Sequence, residues 1–197
     1  MSMQQDTNAV DVILGRVSPI RLAEPGPSAS ETDRIVAAGL RAPDHGQLRP
    51  WKFLVVRGEA REAFGKLIAE SLRRRQPGSS DEALRMEAAK ALRAPLLIVA
   101  VATPRNTNKV PAIEQVAATA AAVENMLIAA HAMGYGGFWR TGLVAYDPLF
   151  IQALGLAESD MIVGFVYLGN IATPGKPKYP QPDGVVEVWT GSGTTVA

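Results

Sequence analysis

The sequence predicts an α+β fold in a single domain spanning residues 1–197, and three observations carry that expectation. Strand-like and helix-like segments mix without the regular β–α alternation of a doubly wound sheet. Residues 95–103 read Pro-Leu-Leu-Ile-Val-Ala-Val-Ala-Thr, a continuous apolar run rich in strand formers, as expected of a strand buried on both faces. Residues 111–134 read as one long helix with an alanine-rich middle, opened by Pro111 and ended by Gly134. A chain of 197 residues is long enough to bury one sizeable core.

Taken in order, residues 1–7 are polar and predict a loose end, as do residues 190–197. Val10, Val12, Ile13 and Leu14 mark a short amphipathic helix ending near Gly15. Residues 16–21 are irregular, and Pro25 and Pro27 keep the next stretch extended. Ser28 with Glu31 forms a capping box for a helix through Ile35, Val36 and Leu40, which Pro43 and Gly46 stop. Pro50 biases Arg49 towards extended backbone, so residues 51–56 read as a strand. Residues 59–75 read as a helix with Phe64, Leu67, Ile68 and Leu72 on one face; the break at 77–80 separates it from a second helix over 81–93. The run Arg73-Arg74-Arg75 is a helix end that favours positive charge. Beyond the long helix, residues 136–140 form a short strand, Asp147-Pro148 caps another helix, and residues 161–169 are a third strand. Pro174, Pro177, Pro180 and Pro182 exclude a packed helix from the tail, and Val-Val-Glu-Val-Trp at 185–189 reads as a strand that can join a sheet, a partner's included.

Composition removes several function classes. A net charge of +1 gives no bulk field for nucleic acid or an anionic membrane. Without cysteine there is no disulfide framework, thiolate nucleophile or sulfur metal site, and two histidines alone make a poor one, so no metal is expected. The first ten residues lack the basic and apolar regions of a secretory signal, and no apolar run is long enough to span a bilayer, which predicts a cytoplasmic protein. Gly134 and Gly136 are followed by Trp139 where a third glycine would complete a dinucleotide-binding fingerprint.

Chemistry-bearing residues concentrate at 41–53, Arg-Ala-Pro-Asp-His-Gly-Gln-Leu-Arg-Pro-Trp-Lys-Phe, where Asp44, His45, Gln47 and Arg49 fill a turn between helix and strand. A solvated connection has the same composition. With Ser-Pro-Ile-Arg-Leu-Ala-Glu-Pro at 18–25 and Gly-Tyr-Gly-Gly-Phe-Trp-Arg-Thr-Gly at 134–142, this stretch resembles the nitroreductase family of flavin enzymes, and within it the small NAD(P)H nitroreductases. The three matches keep their order, and the resemblance covers residues 12–169. It implies a nitroreductase-like fold, a central mixed or antiparallel sheet flanked by helices, with FMN as cofactor.

An FMN phosphate carries about −1.5 to −2 charges and needs guanidinium or ammonium partners, while the ring needs apolar walls and polar edges. Arg16 and Ser18 lie in a segment able to reach an anion. The resemblance implies that Arg16, Val17 and Ser18 contact the FMN, although the family motif reads Arg-Arg-Ser and Val17 can contribute only backbone there. It likewise assigns Arg41, His45 and Gln47 to the cofactor, and places the backbone of Trp139, Arg140 and Thr141 along the ring. Trp51 reads as core. The resemblance puts the pyridine nucleotide near Ala129, Ala130, His131, Ala132, Met133 and Gly134, although the residue pattern reads His131 as a packed or surface side chain.

What the resemblance implies is an FMN-dependent oxidoreductase passing electrons from NAD(P)H to nitroaromatic, quinone or related small acceptors by a ping-pong scheme, with no catalytic side chain. It further implies a homodimer with FMN at the subunit interface. A non-catalytic flavin-binding or sensing module, and a helical interaction protein using the alanine-rich helix, are the competing readings.

Overall fold

The computed structural model describes residues 8–107, 109–178, 184–191 and, as backbone, 194–196. The elements run α1 (Ala9–Gly15), β1 (Leu22–Ala23), α2 (Ala29–Gly39), β2 (Trp51–Arg57), α3 (Ala60–Arg75), α4 (Asp81–Ala88), β3 (Leu96–Ala102), α5 (Ala112–Ala132), β4 (Gly136–Arg140), α6 (Pro148–Ala153), β5 (Met161–Ile171), β6 (Glu187–Trp189) and β7 (Thr194–Val196).

Strands β3 and β5 form the middle of a five-stranded sheet in which every pairing is antiparallel. On one edge β3 pairs with β2, from Trp51↔Ala102 to Arg57↔Leu96. On its other edge it pairs with β5, from Leu96↔Leu168 to Ala102↔Met161. Because β3 fills one edge of β5, β4 takes the opposite edge, with Gly136 across from Gly169 and Arg140 across from Phe165. Strand β1 adds only Leu22↔Ile171 and Ala23↔Asn170.

All seven residues of β3 are buried, as its unbroken apolar run requires. The two-residue period sends Leu97, Val99 and Val101 to one core and Leu96, Ile98 and Ala100 to the other. The first core packs under α3 and α6, where Phe64 meets Phe150 and Phe165 edge-on at centroid distances of 5.5 and 6.0 Å. The second packs under α2 and α5 through Ile35, Val123, Met126 and Leu127. Each such side chain contributes about 1.5–3 kcal/mol by leaving water.

The alanine-rich helix does permit close approach, and within this chain the close neighbour is α2. A Cβ at Gly39 would lie 2.8 Å from Met126 Cγ and 3.2 Å from the Ala122 carbonyl oxygen. Two buried polar side chains of α5 then fix the loops around it. Gln115 Nε2 donates to the carbonyls of Arg105 (2.9 Å) and Val110 (3.1 Å), while its Oε1 accepts from the Arg105 N–H at 2.9 Å. Thr119 Oγ1 donates to the Pro50 carbonyl at 3.1 Å, anchoring the start of β2.

The structure departs from the sequence expectations in several places. Helix 81–93 is α4 followed by a tighter turn at Ala89–Leu92, and β5 runs on to Ile171, two residues beyond Gly169. Helix α1 forms as expected but buries none of its residues. Strand β6 pairs with β7 as a separate hairpin, with Glu187 opposite Val196, so residues 194–196 take part in structure. Residues 1–7, Pro180 and Pro182 lie outside the described residues. No helix among the described residues is long and apolar enough to cross a membrane.

Candidate active site

The site is organised along β4. Alternation puts Gly136, Phe138 and Arg140 on one face of this strand and Gly137 and Trp139 on the other. A Cβ at Gly136 would come within 2.8 Å of Pro19, Leu22 and Ile171, so the chain after Arg16 lies directly on the start of the strand. Arg140 ends it, about 13 Å further along at 3.3 Å per residue. Each end opens into a cleft. Trp139 belongs to the opposite face: its Nε1 donates to the Val163 carbonyl at 3.2 Å and its ring packs on the second core.

At the first end, Arg16 caps α1 by donating its backbone N–H to Ile13. Its side-chain Nε sits 3.2 Å from Glu124 Oε1 on α5, and Nη1 donates to Ser18 Oγ at 3.4 Å. A cleft of about 470 Å³ is lined by Arg16, Val17 and Ser18 together with Lys176 and Lys178 from the tail. Val17 faces Gly175, where a Cβ would lie 3.5 Å from Val17 Cγ2, so this departure from the family motif packs the tail onto the segment. Lys176 and Lys178 were missed in the sequence. The signal was present as Lys-Pro-Lys, since alternate residues of an extended chain share a face.

At the second end, a cleft of about 470 Å³ has Arg140, Thr141 and Gly142 on one side and the α3–α4 region on the other. Its floor is apolar, made from Ile68, Leu72 and Phe165 with Tyr167 beneath. Tyr167 stacks on Phe138 with centroids 4.8 Å apart, and the Arg140 guanidinium lies over Phe138 at 5.6 Å. Burial pushes the Tyr167 hydroxyl up from its ordinary value, against the opposing positive charges of Arg93 and Arg140. Arg75, Lys90 and Arg93 add three further cations to the lining, and Glu87, paired with Lys90 at 2.6 Å, is its carboxylate.

The loop at 41–49 stands apart. His45 Nδ1 is 2.7 Å from Glu114 Oε2 at the start of α5, whereas Arg16 meets Glu124 ten residues later, about 15 Å along a helix axis. Arg41, His45 and Gln47 are exposed, and the Glu114 contact sets His45 apart from Arg16 along α5. Arg49 corrects a sequence expectation: it is left-handed, with φ 48°, instead of extended. Asp44 Oδ2 accepts the Arg49 N–H at 2.6 Å and overrides the local bias that Pro50 sets. Gly46 and Gln47, at φ 73° and 51°, complete a turn in which the two non-glycine residues store backbone strain on the order of 1–2 kcal/mol each.

Of the stretch assigned to the pyridine nucleotide, Ala130 is fully buried and Met133 packs against the second core, while Ala132 and Gly134 are exposed. Ala129 and His131 are half-buried. Burial, and secondarily the charge of Arg16, hold the His131 imidazole below its ordinary value.

The donor set fits FMN at both ends of β4: three cations and a hydroxyl for a phosphate, and an apolar floor edged by cations for a flat ring with an anionic reduced form. The sequence profile of the Nitroreductase family matches residues 22–170. YdjA of Escherichia coli (strain K12), which carries the name of an NAD(P)H nitroreductase, is 39% identical over 176 residues, covering 89% of this chain and 95% of YdjA. A similarly named protein of Haemophilus influenzae is 31% identical over 164 residues, 83% of this chain and 88% of its own. Among solved structures, a nitroreductase-like family protein from Bacillus cereus superposes with TM-score 0.83 at 23% identity, over 96% of this chain and 100% of that one. A nitroreductase from Bacteroides fragilis solved with bound FMN gives TM-score 0.67 at 24% identity, over 97% and 100% of the two chains.

Proposed function

The chain belongs to the nitroreductase family, and on that premise we propose that it is an FMN-dependent oxidoreductase that passes electrons from NAD(P)H to nitroaromatic, quinone or related small acceptors in a ping-pong sequence. The observation that carries the reading is the pair of cationic clefts at the two ends of β4. Arg16, Ser18, Lys176 and Lys178 hold the phosphate, and Arg16 is already oriented for it by Glu124. The backbone of Trp139, Arg140 and Thr141 lines the ring, with Arg140 supplying positive charge at its polar edge. Bound FMN would supply the two-electron redox chemistry that links reductant to acceptor. The chain itself binds, orients and shields from water. For a nitro acceptor the balance is Ar–NO2 + NAD(P)H + H⁺ → Ar–NO + NAD(P)⁺ + H2O, with the proton drawn from solvent.

The loop carrying Arg41, His45 and Gln47 reaches the cofactor of a second copy in this reading. The separation of His45 from Arg16 along α5 supports that, as do surfaces the single chain leaves uncovered. Val10, Ile13 and Leu14 of α1 are half exposed, and Ile113 on α5 and Trp189 on β6 are 71% and 74% exposed. Light scattering should return twice the chain mass, and a monomer with FMN fully bound would end the shared-site reading.

The purified protein should be yellow with non-covalent FMN. Anaerobic titration with NADH and then NADPH should bleach it, and reoxidation by a nitroaromatic should restore the colour. A yellow protein that neither nucleotide bleaches would be a flavin-binding module and no reductase; a colourless one would leave the interaction-protein reading.

A further inference from the structure

The cleft beside Arg140 carries more positive charge than a flavin ring requires. Four cations line it, Arg75, Lys90, Arg93 and Arg140, against the single carboxylate of Glu87. Lys90 is neutralised by Glu87 at 2.6 Å, and Arg140 lies over Phe138. Arg75 is left with Ser71 Oγ at 3.5 Å, and no described carboxylate comes within ion-pair distance of Arg93. The neighbouring Arg74 shows the contrast, since Asp147 at 2.7 Å and Glu70 at 3.9 Å occupy it. Two unneutralised guanidinium groups therefore face a cleft whose floor is Leu72, Ile68 and Phe165. Leu143, 66% exposed, extends that apolar surface to the rim, where a shallower groove continues to Tyr146 and Leu149.

An apolar slot edged by unpaired guanidinium groups selects a flat hydrophobic body carrying a carboxylate, because the planar fork of arginine matches the two carboxylate oxygens. A neutral ring would leave both charges unanswered. A cationic one would meet repulsion from the cations that line the cleft. Resting on the proposed function, we propose that the acceptor for this enzyme is an aromatic carboxylate bearing a nitro or quinone group, its carboxylate held by the exposed Arg75 and Arg93 at the mouth of the Arg140 cleft, outside the floor assigned to the flavin ring. The carboxylate is a handle that does not react. The nitro group takes the hydride equivalent and a proton, losing one oxygen as water, while NAD(P)H is oxidised to NAD(P)⁺.

The test uses the full-length, FMN-loaded protein and a series in which only the remote charge changes: 4-nitrophenylacetate, 4-nitrobenzyl alcohol and (4-nitrobenzyl)trimethylammonium. The methylene spacer limits the difference in nitro reducibility across the three, and what remains favours the cation, so it opposes the order expected of the cleft. The kcat/KM values should fall in that order by about tenfold per step, the scale of one charge-assisted contact, and the spread should shrink as salt rises. Arg93→Gln and Arg75→Gln should bring the anionic-to-neutral ratio towards one by raising KM for the anion, and Arg93→Lys should restore part of it. Calorimetric titration with phenylacetate, which cannot be reduced, reads the cleft without turnover: binding should be detectable and lost in Arg93→Gln.

A flat or reversed order with the neutral acceptor still reduced would overturn this inference and leave the proposed function standing. A change in NADPH-over-NADH preference in the arginine variants, with the acceptor ratio unmoved, would overturn it in favour of a 2′-phosphate site. If no acceptor is reduced, the proposed function fails, and phenylacetate binding that depends on Arg93 still supports an anion-reading cleft while its absence overturns it.

Discussion

The two clefts at the ends of β4 have similar volumes and both are cationic, but they are built from different material. The Arg16 cleft is made of loop, residues 16–20 facing 173–178, and its arginine is held by a carboxylate on α5. The Arg140 cleft is cut into the core, with Ile68 and Phe165 serving both as its floor and as members of the hydrophobic cluster under α3. One site is positioned electrostatically and detached from folding; the other cannot change shape without disturbing packing. A group that stays through every turnover can be held by the first kind of site. Substrates that exchange in turn need the second kind, a rigid surface that keeps its form when empty.

The largest effect should come from attacking that difference directly. Phe165→Ala removes the ring that joins floor and core and meets Phe64 edge-on at 6.0 Å, and should cost about 3–5 kcal/mol of folding stability. Val17→Ala in the other cleft, where the half-buried side chain faces Gly175 of the tail, should cost about 1 kcal/mol or less. Denaturant unfolding of the two variants measures both, and comparable losses would break the distinction between a loop-built and a core-built site.

Next in size is ligand retention. Arg16→Ala should weaken FMN binding by about 1.5–3 kcal/mol, the scale of a charge-assisted hydrogen bond, with little change in unfolding midpoint of the FMN-free protein. Lys176→Ala and Lys178→Ala should act in the same direction by less, and more weakly still as salt rises, because both ammonium groups are exposed. Equilibrium dialysis of FMN decides it. Full retention in Arg16→Ala would remove that residue from the phosphate site.

The legibility of the chain follows the same division. The run at 95–103, the capping box of Ser28 and Glu31, and the Asp147 cap are local patterns, and each forms in the structure as its residues predict. Strand β1 was not readable because two residues carry no period; its place is set by Ile171 and Asn170, far along the chain. Arg49 was misread because Asp44, five residues back, decides its backbone. Lys176 and Lys178 belong with Arg16 only once the tail has folded over Val17. Arg75 and Arg93 face Arg140 only because α3 and the turn after α4 lie on the face of the sheet that β4 shares. A helix's own face is written in its sequence, but the cleft between two elements is not.

Asp147 probes how firmly the wall beside the Arg140 cleft is anchored. Burial opposes its charge, but hydrogen bonds from Ser71 and Arg74, with the backbone N–H groups of Leu149 and Phe150, more than compensate and hold its carboxyl below the ordinary range. A depressed carboxyl stabilises the folded state fully above its unfolded value and loses that contribution as pH falls through the lower folded one. Stability should therefore decline below about pH 4, and Asp147→Asn should flatten that limb. Asp147→Ala also deletes the α6 cap and should cost about 1 kcal/mol at neutral pH. An acid limb unchanged in Asp147→Asn would assign it to other carboxylates.

The smallest expected effect reports on the Arg16 cleft from behind. Burial, and after it the positive charge of Arg16, hold His131 below its ordinary 6.5. The folded chain therefore carries less proton on this ring than the unfolded chain, and the stability present above 6.5 erodes as pH falls through the lower folded value. Arg16→Ala removes the second cause and leaves the first, so the imidazole should rise only part of the way back. FMN binding should move it in the same direction, because a phosphate beside Arg16 offsets the charge that His131 feels. The protein has two histidines, so NMR titration resolves the change ring by ring, and the resonance displaced by Arg16→Ala identifies His131. A His131 titration that follows Arg16→Ala but ignores saturating FMN would place the phosphate elsewhere, even in a protein that stays yellow.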